Sequence, residues 1–450
     1  MGRWNKFDEK IVIIASAIII FSVLCFGAVE LWSSAIMEVS VFTLMLIWLI
    51  WGRTGDPLPA SKDEKYMVAV LFGFLAYIAI QIIPLPSLIV KYISPESFAI
   101  YSYYTTSNDP AMAISLYAYK TESEFLRMLA YSLFFITISF SIRDMTSLRR
   151  MMKILACFGF VLALFAIIQK ATWNGNLYWI RELGLGGSPF GPFVNRNHYA
   201  GLIGMLIPLS LGYAFTRRSR EKKLLWGFFG IIMAVSLFLS LSRAGIISFF
   251  AGIAVFALFL PSETLRTKKR WALVFFVCAV FSYLLYLGVD PLIDRFYKTD
   301  VTREDRLAVW SSTLFAFSDF FLTGSGLGTF IYIFPSYSPE NIHTIFDHAH
   351  NDYLEFILEA GLIGAVLLLV FLFFFVRFMV RSGWEGHTGI IKISFVSSIV
   401  TMAVHSIFDF NLHIPSNALM LSTVSGMAVA ASRLAVRQGG QADNQLKEGE

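Results

Sequence analysis

The feature that most constrains this chain is a run of about twenty apolar residues that recurs along its whole length, closed at every second recurrence by a short basic cluster. A helix needs about 20 such residues to cross a hydrocarbon core of about 30 Å. Runs of that kind can be read at roughly 11–28, 34–51, 66–84, 125–142, 151–170, 198–215, 223–241, 244–260, 271–288, 353–376, 389–408 and 415–432. Composition points the same way, because 56% of the residues are apolar and 15% are charged, where a soluble protein carries about 25% charged. A compact soluble protein cannot hide that much apolar surface. The expected fold class is an all-α polytopic membrane protein of about twelve transmembrane helices.

Several other classes are excluded by the same features. The dominance of aliphatic and aromatic side chains rules out disorder, and Cys25, Cys157 and Cys278 each lie inside an apolar run, so no disulfide framework is expected. The formal charge of +5 does not point to nucleic acid, since the basic residues sit in short clusters between apolar runs.

Those clusters also give an orientation. The first run follows Arg3, Lys6 and Lys10 and reads as a retained signal anchor, which puts the N-terminus in the cytoplasm. The cytoplasmic side then receives Arg53/Lys62/Lys65, Arg143/Arg149/Arg150/Lys153, Arg217 through Lys223, Arg266 through Arg270, Arg377/Arg381 and the tail after Arg433, as the positive-inside rule expects. Of the 36 basic residues about 25 fall there and about 11 fall outside. The chain divides accordingly. Residues 1–288 are expected to hold transmembrane helices 1–9, with external loops at 85–124 and 171–197; residues 289–352 form a large extracytoplasmic loop or cap; 353–434 hold helices 10–12; 435–450 are a cytoplasmic polar tail. The cap is too rich in Phe and Trp to be disordered and is expected to carry short helices.

Chemistry, on this reading, faces outward. Arg243 sits between two apolar runs with almost no loop, either snorkelling to headgroups or held as a fixed cation whose guanidinium fork matches a phosphate. Arg306 and Trp310 share a helical face with Arg303, suited to holding an anion and stacking on a sugar or cation, while salt bridges to Glu304 and Asp305 are the plainer account of Arg303. The densest polar cluster is Asp347-His348-Ala349-His350-Asn351-Asp352-Tyr353-Leu354-Glu355, with Glu359 beyond. On a helix His348, Asp352, Glu355 and Glu359 would share one stripe, with Asn351 over Glu355 and His350 pointing elsewhere. A metal site is one reading of this cluster. His-x-His on a helix diverges by about 200 degrees, however, so both rings reach one ion only from an extended segment. A general base, oriented by a carboxylate or Asn, is the stronger reading because imidazole titrates near neutral pH. Two further stretches complete the candidates: Asn195, Arg196 and His198 in Gly184–Gly201, which a capped external turn would also explain, and His405 to Pro415 with Asp409, Asn411 and His413, which suggest a cavity wall or helix caps.

Five of these motifs, in this order, resemble a family. Phe193-Val194-Asn195-Arg196-Asn197-His198-Tyr199-Ala200-Gly201, Ser242-Arg243-Ala244-Gly245, Arg306 with Trp310, Gly324-Ser325-Gly326-Leu327-Gly328-Thr329-Phe330 and His348 through Glu355 are similar to the O-antigen ligase and polysaccharide polymerase superfamily of bacterial membrane glycosyltransferases. The resemblance implies a GT-C-like helical fold in the bacterial inner membrane that transfers a glycan from undecaprenyl diphosphate on the periplasmic side, with no cofactor, metal or nucleotide sugar. It implies that Arg243 and Arg306 hold the donor diphosphate and that His350 activates the acceptor hydroxyl, with His348 in reserve. Asn195, Arg196, His198, Trp310, Asn351, Glu355 and Asp409 are expected to line the substrate site. The acceptor is open: lipid A core for an O-antigen ligase, another lipid-linked repeat for a polymerase, a protein hydroxyl for a third branch. A twelve-helix transporter or flippase is the rival of another class, disfavoured because the halves show no similarity and the ionisable residues gather at the outer face.

Overall fold

The computed structural model describes residues 3–52, 60–104, 110–183, 188–260, 301–338 and 345–448. The ninth predicted span, 271–288, lies outside them, as do its basic cluster, Cys278, Arg295, Lys298 and the side chain of Arg303. Each of the other eleven predicted spans is a helix. In chain order the helices are α1 (Arg3–Leu24), α2 (Leu31–Trp51), α3 (Lys62–Ile82), α4 (Ser87–Ile93), α5 (Pro95–Tyr104), α6 (Ala118–Ser141), α7 (Met145–Ala171), α8 (Arg196–Phe215), α9 (Arg220–Leu239), α10 (Arg243–Phe259), α11 (Val301–Asp319), α12 (Phe330–Ile333), α13 (Asp352–Arg381), α14 (Gly386–His405) and α15 (Pro415–Glu448). Nine of those described are long and apolar enough to cross a membrane; α10 is shorter, and α1 opens on a charged turn. Among the described residues the only paired strands are β1 (Leu85–Pro86) and β2 (Ala111–Met112), antiparallel and two residues each. The protein is an all-α polytopic membrane protein.

Helix starts follow the capping chemistry of the sequence. Ser61 and Glu64 form a reciprocal capping box on α3, Asp144 accepts from Thr146 and Ser147 at the start of α7, and Asn195, Ser219, Ser242 and Asn351 cap α8, α9, α10 and α13. Each cap satisfies backbone donors that a membrane interior could not. Helix α15 runs on to Glu448, through the residues expected as a polar tail.

The centre of the bundle is α8, buried from His198 to Ala214 and enclosed by α7, α9, α10 and α14. Small residues permit that enclosure. A Cβ on Gly212 would stand 2.5 Å from Ser394 of α14, and Ser398 donates to the Met205 carbonyl at 2.7 Å, so packing and an interhelical hydrogen bond replace a hydrophobic driving force. At the basic end, Arg433 forks onto buried Glu64 and donates to the Ser139 carbonyl at 2.9 Å. Lys392, fully buried, donates to the Met379 and Gly383 carbonyls and to Ser382 Oγ at the end of α13.

The opposite end is where the long connections meet. Leu116 N donates to the Ser325 carbonyl and Thr121 Oγ1 to that of Leu327, both at 2.9 Å, which ties the start of α6 and the residues just before it to the glycine-rich loop 324–328. That loop in turn grips α13 at a break in its helical geometry, Gly361 (φ 62°, ψ −171°). Gly324, itself at φ 67°, lies so close that a Cβ there would fall 2.2 Å from the Glu359 carbonyl oxygen. Tyr77 and Gln81 of α3 lock the joint by donating to the Thr323, Glu359 and Ala360 carbonyls.

Candidate functional site

Past this joint, the first turn of α13 and the segment 406–414 face one another, with α11 laid across them. The helix begins later than the sequence stripe supposed. Asn351 is the cap, accepting from Tyr353 N at 3.0 Å and Leu354 N at 3.1 Å, and His348 and His350 precede it at bends outside the helix. The stripe is therefore corrected: Asn351 does not lie over Glu355, and its side-chain oxygen is engaged in capping. His348 still reaches Glu355, because the chain folds back on itself. His348 Nδ1 lies 2.7 Å from Glu355 Oε1, and Glu355 Oε2 accepts from Ala349 N at 2.8 Å. His350 adopts φ 50°, unusual for a residue other than glycine. This twist turns its ring away from His348 and toward Asp409, with Nδ1 3.2 Å from Asp409 Oδ1.

Phe410 sits among the imidazoles. Its ring stacks on His348 at 4.2 Å and meets His350 and His198 edge-on, each at 4.9 Å. His413 closes the other side, with Nδ1 3.1 Å from Asp352 and Nε2 3.2 Å from Glu355. Burial opposes a charge on His413, but the Glu355 and Asp352 carboxylates outweigh it and raise its pKa from 6.5 to about 10. Asp409 is buried as well, which works against ionisation, yet the hydrogen bond from His350 and the neighbouring His198, His350 and His405 hold its carboxyl well below the usual range. Asp409 is thus an acceptor, which makes His350 Nδ1 the donor and leaves the lone pair on His350 Nε2.

Arg306 and Trp310 border the same cluster. Arg306 Nη1 donates to the Phe408 carbonyl at 3.5 Å, one residue before Asp409, and Trp310 Nε1 donates to the Ala349 carbonyl at 3.0 Å, one residue before His350. The two share a face of α11, as their spacing predicts, and Trp310 holds the histidine segment. Arg243 opens α10, where the preceding Ser242 donates to Asn197 Oδ1 at 2.8 Å, and Asn197 leads directly to His198 under Phe410. Of the remaining sequence candidates, Asn195 is occupied as the cap of α8. Arg196 lines a separate cavity of about 380 Å³ with Lys170 and Trp173. Phe410 and Asn417 escaped sequence reasoning; Asn417 joins the His198 carbonyl to Asn411 Oδ1 and so fixes the cluster's floor.

The cluster retains unspent capacity. Asp409 Oδ2, His198 Nε2 and both His405 nitrogens are buried without a hydrogen bond inside the protein, an arrangement that calls for a ligand or solvent partner. His348, Glu355 and His413 offer three ligand atoms within 4.8 Å of one another and could hold a cation, although the same atoms already satisfy one another as an imidazole–carboxylate network.

The bundle thus gathers at one end two histidines, each held by a carboxylate, with Arg306 beside them. Residues 228–369 match the family model described as O-antigen ligase, so this stretch of the chain is similar to that family. The matched stretch includes Arg243, Arg306, Trp310, His348, His350 and Glu355, and stops short of Asp409. No curated protein matches the chain.

Proposed function

We propose that the protein moves a glycan from undecaprenyl diphosphate to an acceptor hydroxyl, lipid A core or a related glycan, on the periplasmic face of the inner membrane, in the manner of an O-antigen ligase. The observation that carries this reading is the pairing of His350 with buried Asp409 beside Arg306. The acceptor O–H gives its proton to His350 Nε2 as its oxygen bonds to the anomeric carbon. The bond from that carbon to the phosphate oxygen breaks with its electron pair, inverting the anomeric centre and leaving undecaprenyl diphosphate. Arg306 and Arg243 stabilise the charge that gathers on the departing diphosphate in a low-dielectric mouth. No step requires a metal or cofactor.

Purified protein given a lipid-linked glycan and, separately, lipid A core or a second lipid-linked glycan tests this reading. Transfer to lipid A core is expected, undiminished by a chelator, and lost in His350→Ala, Arg243→Ala and Arg306→Ala. Elongation of the lipid-linked glycan alone would identify a polymerase. Full activity in His350→Ala together with loss in His348→Ala would move the base to His348, whose Nδ1 is likewise held by a carboxylate.

A further inference from the structure

A cavity at the other end of the bundle takes no part in this chemistry. It holds about 840 Å³ between α1, α7 and the end of α8. Its mouth is basic: Arg149, Arg150, Lys153 and Arg217 line it. Arg150 is neutralised by Glu9 at 2.8 Å. Among the described residues no carboxylate pairs with Arg149, Lys153 or Arg217, and Asp144, two residues before the lining Thr146, spends its oxygens capping α7. Arg149 and Arg217 act on one another as like charges, and the Nε of each is buried with no hydrogen bond inside the protein. Arg217 is nevertheless held in place, its guanidinium 4.2 Å from the Tyr213 ring centre. Two fixed, adjacent, unneutralised guanidiniums at a membrane interface are costly unless an anion lies between them.

Below this mouth the walls turn apolar. Ile13, Ile20, Phe158 and Val161 continue the cavity. Val161 is twelve residues beyond Arg149 on one helix, which places it about 18 Å deeper at 1.5 Å per residue. Ile13 and Val161 are 50% and 61% exposed, so the cavity opens sideways toward the bilayer. A soluble anion fills only the mouth. An acyl chain fills the rest.

We propose that this cavity is a binding site for an anionic phospholipid, with the headgroup phosphate held between Arg149 and Arg217 beside Lys153 and an acyl chain laid along Ile20, Phe158 and Val161. Basic pockets between transmembrane helices recognise such headgroups, whereas a zwitterionic lipid brings its own cation to the same place. Native mass spectrometry of the full chain, released from phosphatidylcholine micelles titrated with phosphatidylglycerol or cardiolipin, reads the site directly. One anionic lipid is expected to stay bound, with about tenfold weaker retention in Arg149→Gln/Arg217→Gln and no change in the exposed neighbour Arg218→Gln. Val161→Trp, which fills the apolar part without touching a charge, is expected to weaken retention too and stands in if the double variant fails to fold. Millimolar inorganic phosphate is expected to leave the lipid in place. Equal retention of phosphatidylcholine, displacement by phosphate alone, or undiminished retention in the variants would overturn the proposal.

Discussion

On the proposed function, the residues of the histidine cluster divide into those that meet substrate and those that set the state of others, and substitutions should separate the two. Asp409 fixes which nitrogen of His350 carries the proton, so Asp409→Asn leaves the ring in place but allows the wrong tautomer. Transfer is expected to fall by about 10² to 10⁴-fold with little change in acceptor KM, measured with purified protein and lipid-linked glycan. His413 predicts a pH effect of definite sign. Its pKa is raised from 6.5 to about 10 in the folded protein, so its contribution to stability is complete below the ordinary imidazole value and is lost as pH rises through about 10. Thermal unfolding in detergent should show the wild type losing stability across that window more steeply than His413→Gln, and parallel curves would refute the assignment. The residue types of this site were legible in the sequence, and so was the helical face that Arg306 shares with Trp310. The pairings were not. His350 and Asp409 are 59 positions apart and meet only because Phe410 packs among three imidazoles, and no spacing rule reaches that far. The helical stripe through His348 failed for a local reason, since Asn351 is a better cap than it is an interior helix residue.

At the scale of elements, the joint between the glycine-rich loop and α13 predicts a cost that burial alone does not. Gly361 holds a φ of 62° and Gly324 one of 67°, with each other's backbone in contact. Gly361→Val is expected to destabilise by about 1–3 kcal/mol from the backbone conformation, with steric clash added, and to lower the melting temperature accordingly. Lys392→Met tests the other end of α13. Methionine keeps the length but leaves the Met379 and Gly383 carbonyls without their donor, for about 1–3 kcal/mol. Eleven helices could be located from the sequence, because the apolar runs are local signals, but several ends could not: α1 begins at Arg3 and α6 at Ala118, ahead of their apolar runs, and α15 continues to Glu448. The grip of residues 323–328 on α13 could not be read, since it rests on backbone carbonyls that carry no side-chain signature.

For the whole molecule, the alternation of helices predicts one sidedness. Single cysteines at Arg218 and Arg381 should react with an impermeant maleimide only from the side that bears the N-terminus, and cysteines at Tyr103 and Lys170 only from the other; mixed labelling would refute the orientation drawn from the basic clusters. That orientation also bears on how the protein is made. Helix α8 has no lipid-facing side, and one of its main covers, α14, begins at residue 386, about 170 residues after α8 ends. During synthesis α8 must therefore wait, half-wrapped by α7, α9 and α10, until the ribosome has delivered almost the whole chain. Truncations ending before α14 are then expected to leave α8 open to proteolysis, and the last helices to arrive decide whether the first ones are kept.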